Sequence, residues 1–506
     1  MEERLSRRDF LRTAAGSAAA FTGLGGRPAD TSAGDVSRRL EQVPPLDGAL
    51  VQDRESLQMA ATDHGGIVRR QPCAVLKPGS VRDIVRIVEY ANKHKLPVAM
   101  RGRGHARYGQ ALVDNGIVID SRFLDAISGV SGATIDVQAG ASLAATVRAA
   151  LDAGFTLPVT THCSMLSVGG FLSAGGEARG SHRFGAFVDQ VAELDVVTGD
   201  GRLVTCSEAQ ERELFEMVLG GMGQCGIIVG ARLRLVPAPA RVMLRTLAYH
   251  SLHPFLRDQE RLSGEAVDGR FDVVRAALAP TADGRWSYRI TVGVYGSGEA
   301  DIDPAPRLGN VSNSRMSGPA RQAYTAYQGV SGQAPVAGQR TRSRQSGAQP
   351  LTRSAPPHTP ARRPVSDPSL ALWVPAAGAG EFLTNLLASQ ADNGGILTID
   401  FASYDTHYFH RPLLRVPAER RVVAMWLSRM ADVNSGPSLE AQLEANARLL
   451  ERAIAMGGKR YPPYGGITTP PEWRRHYGEE LYARFAAAKR RYDPRQVLTP
   501  GPGMFA

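Results

Sequence analysis

Arg101-Gly102-Arg103-Gly104-His105 follows an apolar run, Leu96 to Met100, that reads as a short buried strand. Two glycines let backbone amides approach an anion closely, as a pyrophosphate requires. A histidine at the tip of such a loop is partly exposed and open to bond formation. Alone, these five residues read more simply as a strand-to-loop turn with an incidental histidine. A second cluster, Ser167-Val168-Gly169-Gly170-Phe171-Leu172-Ser173-Ala174-Gly175-Gly176, adds small side chains and two hydroxyls downstream. Two glycine-rich loops, each beside a strand, suit an extended dinucleotide contacted along both sides. A third cluster, Gly221-Met222-Gly223-Gln224-Cys225-Gly226, has the spacing G-x-G-x-x-G. It is not a Rossmann fingerprint, because a helix precedes it, a strand follows, and no acidic residue stands about twenty positions on. It reads as a place where the backbone passes close to a bound group.

Elements must hold these loops in place. From Pro72 to about Val236 strands and helices alternate. Pro78-Gly79 is a turn, and Ser80 with Asp83 reads as a capping box. Val81, Ile84, Val85, Val88 and Ala91 recur at helical spacing, so one stripe faces a core. Residues 117–119 and 134–137 read as strands, and 143–151 as a second amphipathic helix. Residues 191–197 and 203–206 form a hairpin about the turn Thr198-Gly199-Asp200-Gly201. A helix over 214–219 and an alternating strand over 227–236 close this region. From 240 to about 295 the pattern is α+β, and a long helix covers about 439–456.

At 506 residues the chain needs two or three lobes, and 43% hydrophobic content supplies a core for them. The net charge of +10 is not spread as a nucleic-acid-binding face. Nine arginines and no acid lie in 304–366, so ten minus nine leaves about +1 elsewhere. Four cysteines, Cys73, Cys163, Cys206 and Cys225, fit no metal spacing, and no structural metal is expected. No stretch of the mature chain is long and apolar enough to span a bilayer. At the start, Ser6-Arg7-Arg8-Asp9-Phe10-Leu11 precedes an Ala- and Gly-rich stretch. This reads as a twin-arginine export signal over residues 1–33, implying a periplasmic or secreted protein. A merely basic, disordered N-terminus would not explain that order of charge, apolar run and small residues.

Gly102 to His105 with Gln110, Ser167 to Gly170, Glu193 to Gly199 and Leu219 to Ile228 resemble the FAD domain of cytokinin dehydrogenases. The tail, with Tyr492-Asp493-Pro494 and Thr499-Pro500-Gly501, is similar to that family's C-terminus. The resemblance covers about 68–240 and 440–506. It implies the α+β fold of the p-cresol methylhydroxylase and vanillyl-alcohol oxidase superfamily. A bipartite FAD-binding domain would occupy 68–239 and 438–506, with an α+β substrate domain inserted at 240–437. It also implies FAD linked to His105, with cofactor contacts from Gly102, Arg103, Gly104, Gln110, Ser167, Ser173, Ile227, Tyr461 and Thr499. The implied chemistry is hydride transfer from a small organic molecule to the flavin, which oxygen or another acceptor reoxidises.

The chain departs from the family at several positions. Ala106 stands for a serine, Pro502 for a glutamine and Glu177 for an isoleucine near the flavin. His162 stands where cytokinin dehydrogenases carry the aspartate that takes the substrate's amine proton. It reads either as a base, for which an imidazole is suited, or as pocket wall. Arg275 falls where the family has a substrate-domain glutamate. It reads as a selector for carboxylates or as a solvated arginine on a strand edge. Cys163 has the spacing of a cysteine that forms a second flavin link in berberine-bridge-type oxidases; otherwise it is a buried, inert thiol. These changes leave alcohols, amines and hydroxy acids open as substrates. They also leave open a flavin-binding protein with little or no turnover, or a non-flavin binding module. Residues 304–366 lose periodicity and are expected to be disordered or poorly packed. Their composition reads as coding sequence translated out of frame between two compensating shifts.

Overall fold

A computed structural model describes residues 40, 42–161, 163, 165–267, 269–296, 303–312, 315–329, 365–432, 436–466 and 469–505. The expected export signal, residues 1–33, and His162 lie outside them. Among the described residues the architecture is α+β, with three large sheets.

The first sheet has four strands in the order Ala49–Val51, Ala74–Lys77, Ile117–Asp120, Val98–Arg101, the last three parallel. Helix Val81–His94 packs on it through Ile84, Ile87, Val88 and Ala91, all buried in one cluster with Leu76, Val98 and Ile119. Its start is not the capping box expected. Ser80 makes no side-chain cap bond. The fully buried Asp83 carboxylate instead accepts from Asp47 N (2.7 Å), Gly48 N (2.8 Å) and Gly79 N (2.8 Å). A buried carboxylate needs several donors, and the preceding loop supplies more than the helix terminus alone.

The second sheet is antiparallel: Ile127–Ser131, Thr134–Gln138, Ile227–Arg234, Val191–Val197, Leu203–Ser207. The expected hairpin is present, closed by Thr198 N to Arg202 O at 2.9 Å. The third sheet has nine strands, centred on Arg241–Tyr249, Trp286–Gly296, Val273–Pro280, Ile396–Asp405, Arg421–Arg429 and Leu370–Pro375. Helices Leu252–Val267, Ala376–Ala388 and Leu439–Ala455 contact it.

The tail returns to the first lobe. Thr499 N donates to Val98 O at 2.7 Å, and Leu498 bridges Val98. Gly199 of the hairpin turn donates to Tyr492 O at 2.7 Å. The first lobe is therefore built from both ends of the described chain.

Within 304–366, the described residues 304–312 and 315–329 are more ordered than their composition suggests. Strands Arg315–Met316 and Ala320–Ala323 both pair with Arg241–Tyr249. Tyr324 is buried and packs edge-on against Tyr295 at 5.2 Å between ring centroids. Backbone pairing to an existing strand and one aromatic anchor outweigh the missing hydrophobic period. Residues 330–364 lie outside the described residues.

Candidate active site

A cavity of about 610 Å³ lies between the glycine-rich loops of the first lobe and the third sheet. Gly102, Arg103, Gly104, His105, Gln110, Ser167, Ser173, Ile227, Tyr461 and Thr499 all line it. The loops meet closely: a Cβ on Gly102 would fall 2.1 Å from Ser167 Oγ. Gly223, in the third glycine cluster, has φ +73°, and a Cβ there would lie 2.8 Å from Thr499 Oγ1. Bare backbone therefore faces the cavity from three segments far apart in sequence. Gln110 Nε2 donates to Pro462 O at 3.0 Å. The buried Arg103 Nε has no partner. An unpaired guanidinium nitrogen beside glycine backbone suits an anionic group such as a pyrophosphate.

His105 sits half-buried at the loop tip, 4.8 Å from the ring of His64. Burial, then the positive neighbours His64, Arg107, Arg101 and Arg103, push its pKa down to about 4. The imidazole is thus neutral at physiological pH and keeps a free lone pair. Cys163 Sγ lies 3.9 Å from His105 Nδ1. Burial raises the Cys163 thiol, opposed by Arg107. Behind them, Arg107 pairs with Asp367 at 2.6 Å and lies over the Tyr464 ring at 4.3 Å. Burial is the largest influence on the Asp367 carboxyl and raises it, but the hydrogen bonds and charge of Arg107 together with the Ser369 hydrogen bonds make the net shift downward.

The opposite wall comes from the third sheet. Arg275, Asp400, Phe401, Tyr404 and Trp426 all line it. Arg275 is not on a sheet edge, since its strand is paired on both sides. Its guanidinium lies 3.9 Å from Asp400 Oδ1, so the charge that would favour carboxylates is partly compensated. Glu177 and Tyr404 are buried and hydrogen-bonded to each other.

Sequence reasoning named the three glycine loops because each is a local pattern. It missed His64, the Arg107–Asp367 pair and Tyr404. Tyr404 is separated from Glu177 by 227 residues, and no local signal marks it. Among the described residues no group of three His, Cys, Asp or Glu could hold a metal ion. All four cysteines are unpaired.

Residues 72–207 match the FAD binding domain family, and 362–505 match the family described as cytokinin dehydrogenase 1, FAD and cytokinin binding. Cytokinin dehydrogenase 7 of Oryza sativa subsp. japonica is 31% identical over 525 residues, covering 95% of this chain and 94% of that protein. An uncharacterised oxidoreductase in the fasciation locus of Rhodococcoides fascians is 30% identical over 460 residues, covering 90% and 99%. The crystal structure of 6-hydroxy-D-nicotine oxidase from Arthrobacter nicotinovorans superposes with a TM-score of 0.67 at 19% identity, covering 90% of this chain and 96% of that one.

Proposed function

Since the chain belongs to the FAD-linked oxidoreductases of the p-cresol methylhydroxylase and vanillyl-alcohol oxidase type, in their cytokinin-dehydrogenase-like branch, we propose that it oxidises a small organic molecule by hydride transfer to an FAD joined to His105. The cofactor is FAD. The residues present fit it: three backbone-lined approaches, an unpartnered Arg103 nitrogen and a neutral histidine meet in one cavity.

When bound, FAD supplies a two-electron acceptor for the substrate's hydride. The chain supplies the rest. Gly102, Gly104 and Gly223 allow close approach of the backbone, and Arg103 meets negative charge. His105 offers a neutral nitrogen for attachment. Phe401 and Trp426 line the far wall, where apolar rings would exclude water from a bound substrate.

The observation that carries this reading is the single cavity in which His105 and all three glycine clusters meet. Acid precipitation of purified holoprotein tests the link. The wild-type pellet should stay yellow, and the His105→Ala pellet should lose its colour to the supernatant. Free flavin released from wild type would end the covalent reading while leaving FAD binding intact.

A further inference from the structure

Glu177 enters the cavity wall just past helix Val168–Ala174, after two glycines at φ +103° and +74°. That turn is fixed. Gly176 N donates to the Tyr461 hydroxyl at 3.1 Å, and Phe187 N donates to Gly176 O at 2.9 Å. Glu177 is only 6% exposed, and Tyr404 only 4%. The Tyr404 hydroxyl donates to Glu177 Oε1, while Oε2 is buried without a partner. Leaving a buried polar oxygen unpaired costs free energy. A purely structural carboxyl would have both oxygens satisfied, so the free one points to a ligand.

We propose that Glu177 is the base that takes the substrate's proton, with Tyr404 holding its carboxyl, and that the substrate carries a hydroxyl or amine hydrogen on the oxidised carbon. This rests on the FAD-oxidoreductase reading above. The substrate's C–H bond breaks, and its hydrogen leaves with the electron pair as hydride to the flavin, which is reduced by two electrons. The O–H or N–H bond breaks, and its proton goes to Glu177 Oε2. The pair left on oxygen or nitrogen becomes the new double bond to carbon.

Burial pushes the Glu177 carboxyl well above the usual carboxylate range, opposed by the Tyr404 hydrogen bond and by Arg275. Tyr461 is a further titratable group facing it. A base with a raised pKa holds an accepted proton more firmly than an ordinary carboxylate. Only the carboxylate accepts one, so oxidation rises with pH through this elevated pKa. Tyr404 stabilises the charged form, so Tyr404→Phe moves that limb to higher pH.

Full-length wild type, Glu177→Gln and Tyr404→Phe are compared as holoproteins. Glu177→Ile is the second variant should the glutamine fail to fold. Infrared difference spectra between acid and alkaline pH, without substrate, should show a carboxyl titrating above the ordinary range that Glu177→Gln removes. Bleaching of the visible band by isopentenyladenine or benzyl alcohol should show an acid limb at the same pKa. Glu177→Gln should keep its colour, lose that limb and slow bleaching about 100-fold or more. Tyr404→Phe should keep the limb but shift it upward. Wild-type bleaching by Glu177→Gln, no titrating carboxyl attributable to Glu177, or no bleaching of yellow wild type by either probe would overturn the proposal. A colourless wild type would instead remove the FAD reading, and this inference with it.

Discussion

The Cys163 thiol lies 3.9 Å from Nδ1 of His105. We propose that Cys163 forms a second link to the flavin. Its raised pKa leaves little thiolate at neutrality, so this bond should form more slowly than the histidyl one. Peptide mapping of the mature holoprotein should find flavin on both residues, and Cys163→Ala should keep its colour through His105. A free thiol at Cys163 in fully flavinylated protein would end the idea. Residues 101–105 were legible in the sequence because glycine spacing and a loop-tip histidine are local chemistry. The Cys163–His105 contact was only half legible. Spacing singled out the cysteine, but its approach to His105 depends on how the loop before Ser167 folds back over residues 102–106.

The tail folds around a buried ion pair. Lys489 Nζ meets Asp493 Oδ2 at 2.6 Å, with side chains 4% and 0% exposed. The ammonium also donates to Gln224 O (3.0 Å) and Leu498 O (2.9 Å). The carboxylate also accepts from Val497 N (3.0 Å) and Leu498 N (2.9 Å). This junction sets Thr499 beside the third glycine cluster, where Gln224 Nε2 donates to Thr499 O at 2.8 Å. Removing one partner strands the other, so Asp493→Ala should cost about 3–5 kcal/mol. Lys489→Met should cost less, because it leaves only the Gln224 and Leu498 carbonyls short of a donor, whereas Asp493→Ala leaves the buried Val497 and Leu498 amides without that acceptor. Denaturant unfolding of both variants checks the order, and wild-type stability in either would show that the pair is not the fastening. The motif Tyr492-Asp493-Pro494 was recognisable in the sequence, but its use was not. Its partners at 199 and 224 are joined to it only by the fold. At Ser80 the sequence misled, because spacing cannot show that Asp83 is taken by residues 47 and 48.

At the scale of the whole molecule, one stretch does not belong with its surroundings. Residues up to 329 now fit the fold, since 320–323 extend the third sheet and Tyr324 is buried against Tyr295. The cytokinin-binding family match begins at 362. Between them, residues 330–364 hold six of the nine arginines, no acid, no lysine and no aromatic residue. This composition carries neither a helical nor a strand period. An unpatterned stretch this long rarely interrupts a compact domain. We propose that a stretch within 304–366, ending before the family match at 362, is coding sequence read out of frame between two compensating shifts. Excess Arg, Pro, Gly, Ser and Ala is what a GC-rich gene yields when misread. Translating the other two frames over this interval should give, in one of them, acidic residues, aromatics and a regular hydrophobic period. Protein expressed from the restored frame should bind the same amount of flavin per chain and reoxidise and turn over faster, because the missing chain lies in the substrate domain and not among the glycine loops. If neither frame shows such a pattern and resequencing confirms the reading, the stretch is a true insertion. Deleting 330–364 should then leave both flavin content and turnover unchanged.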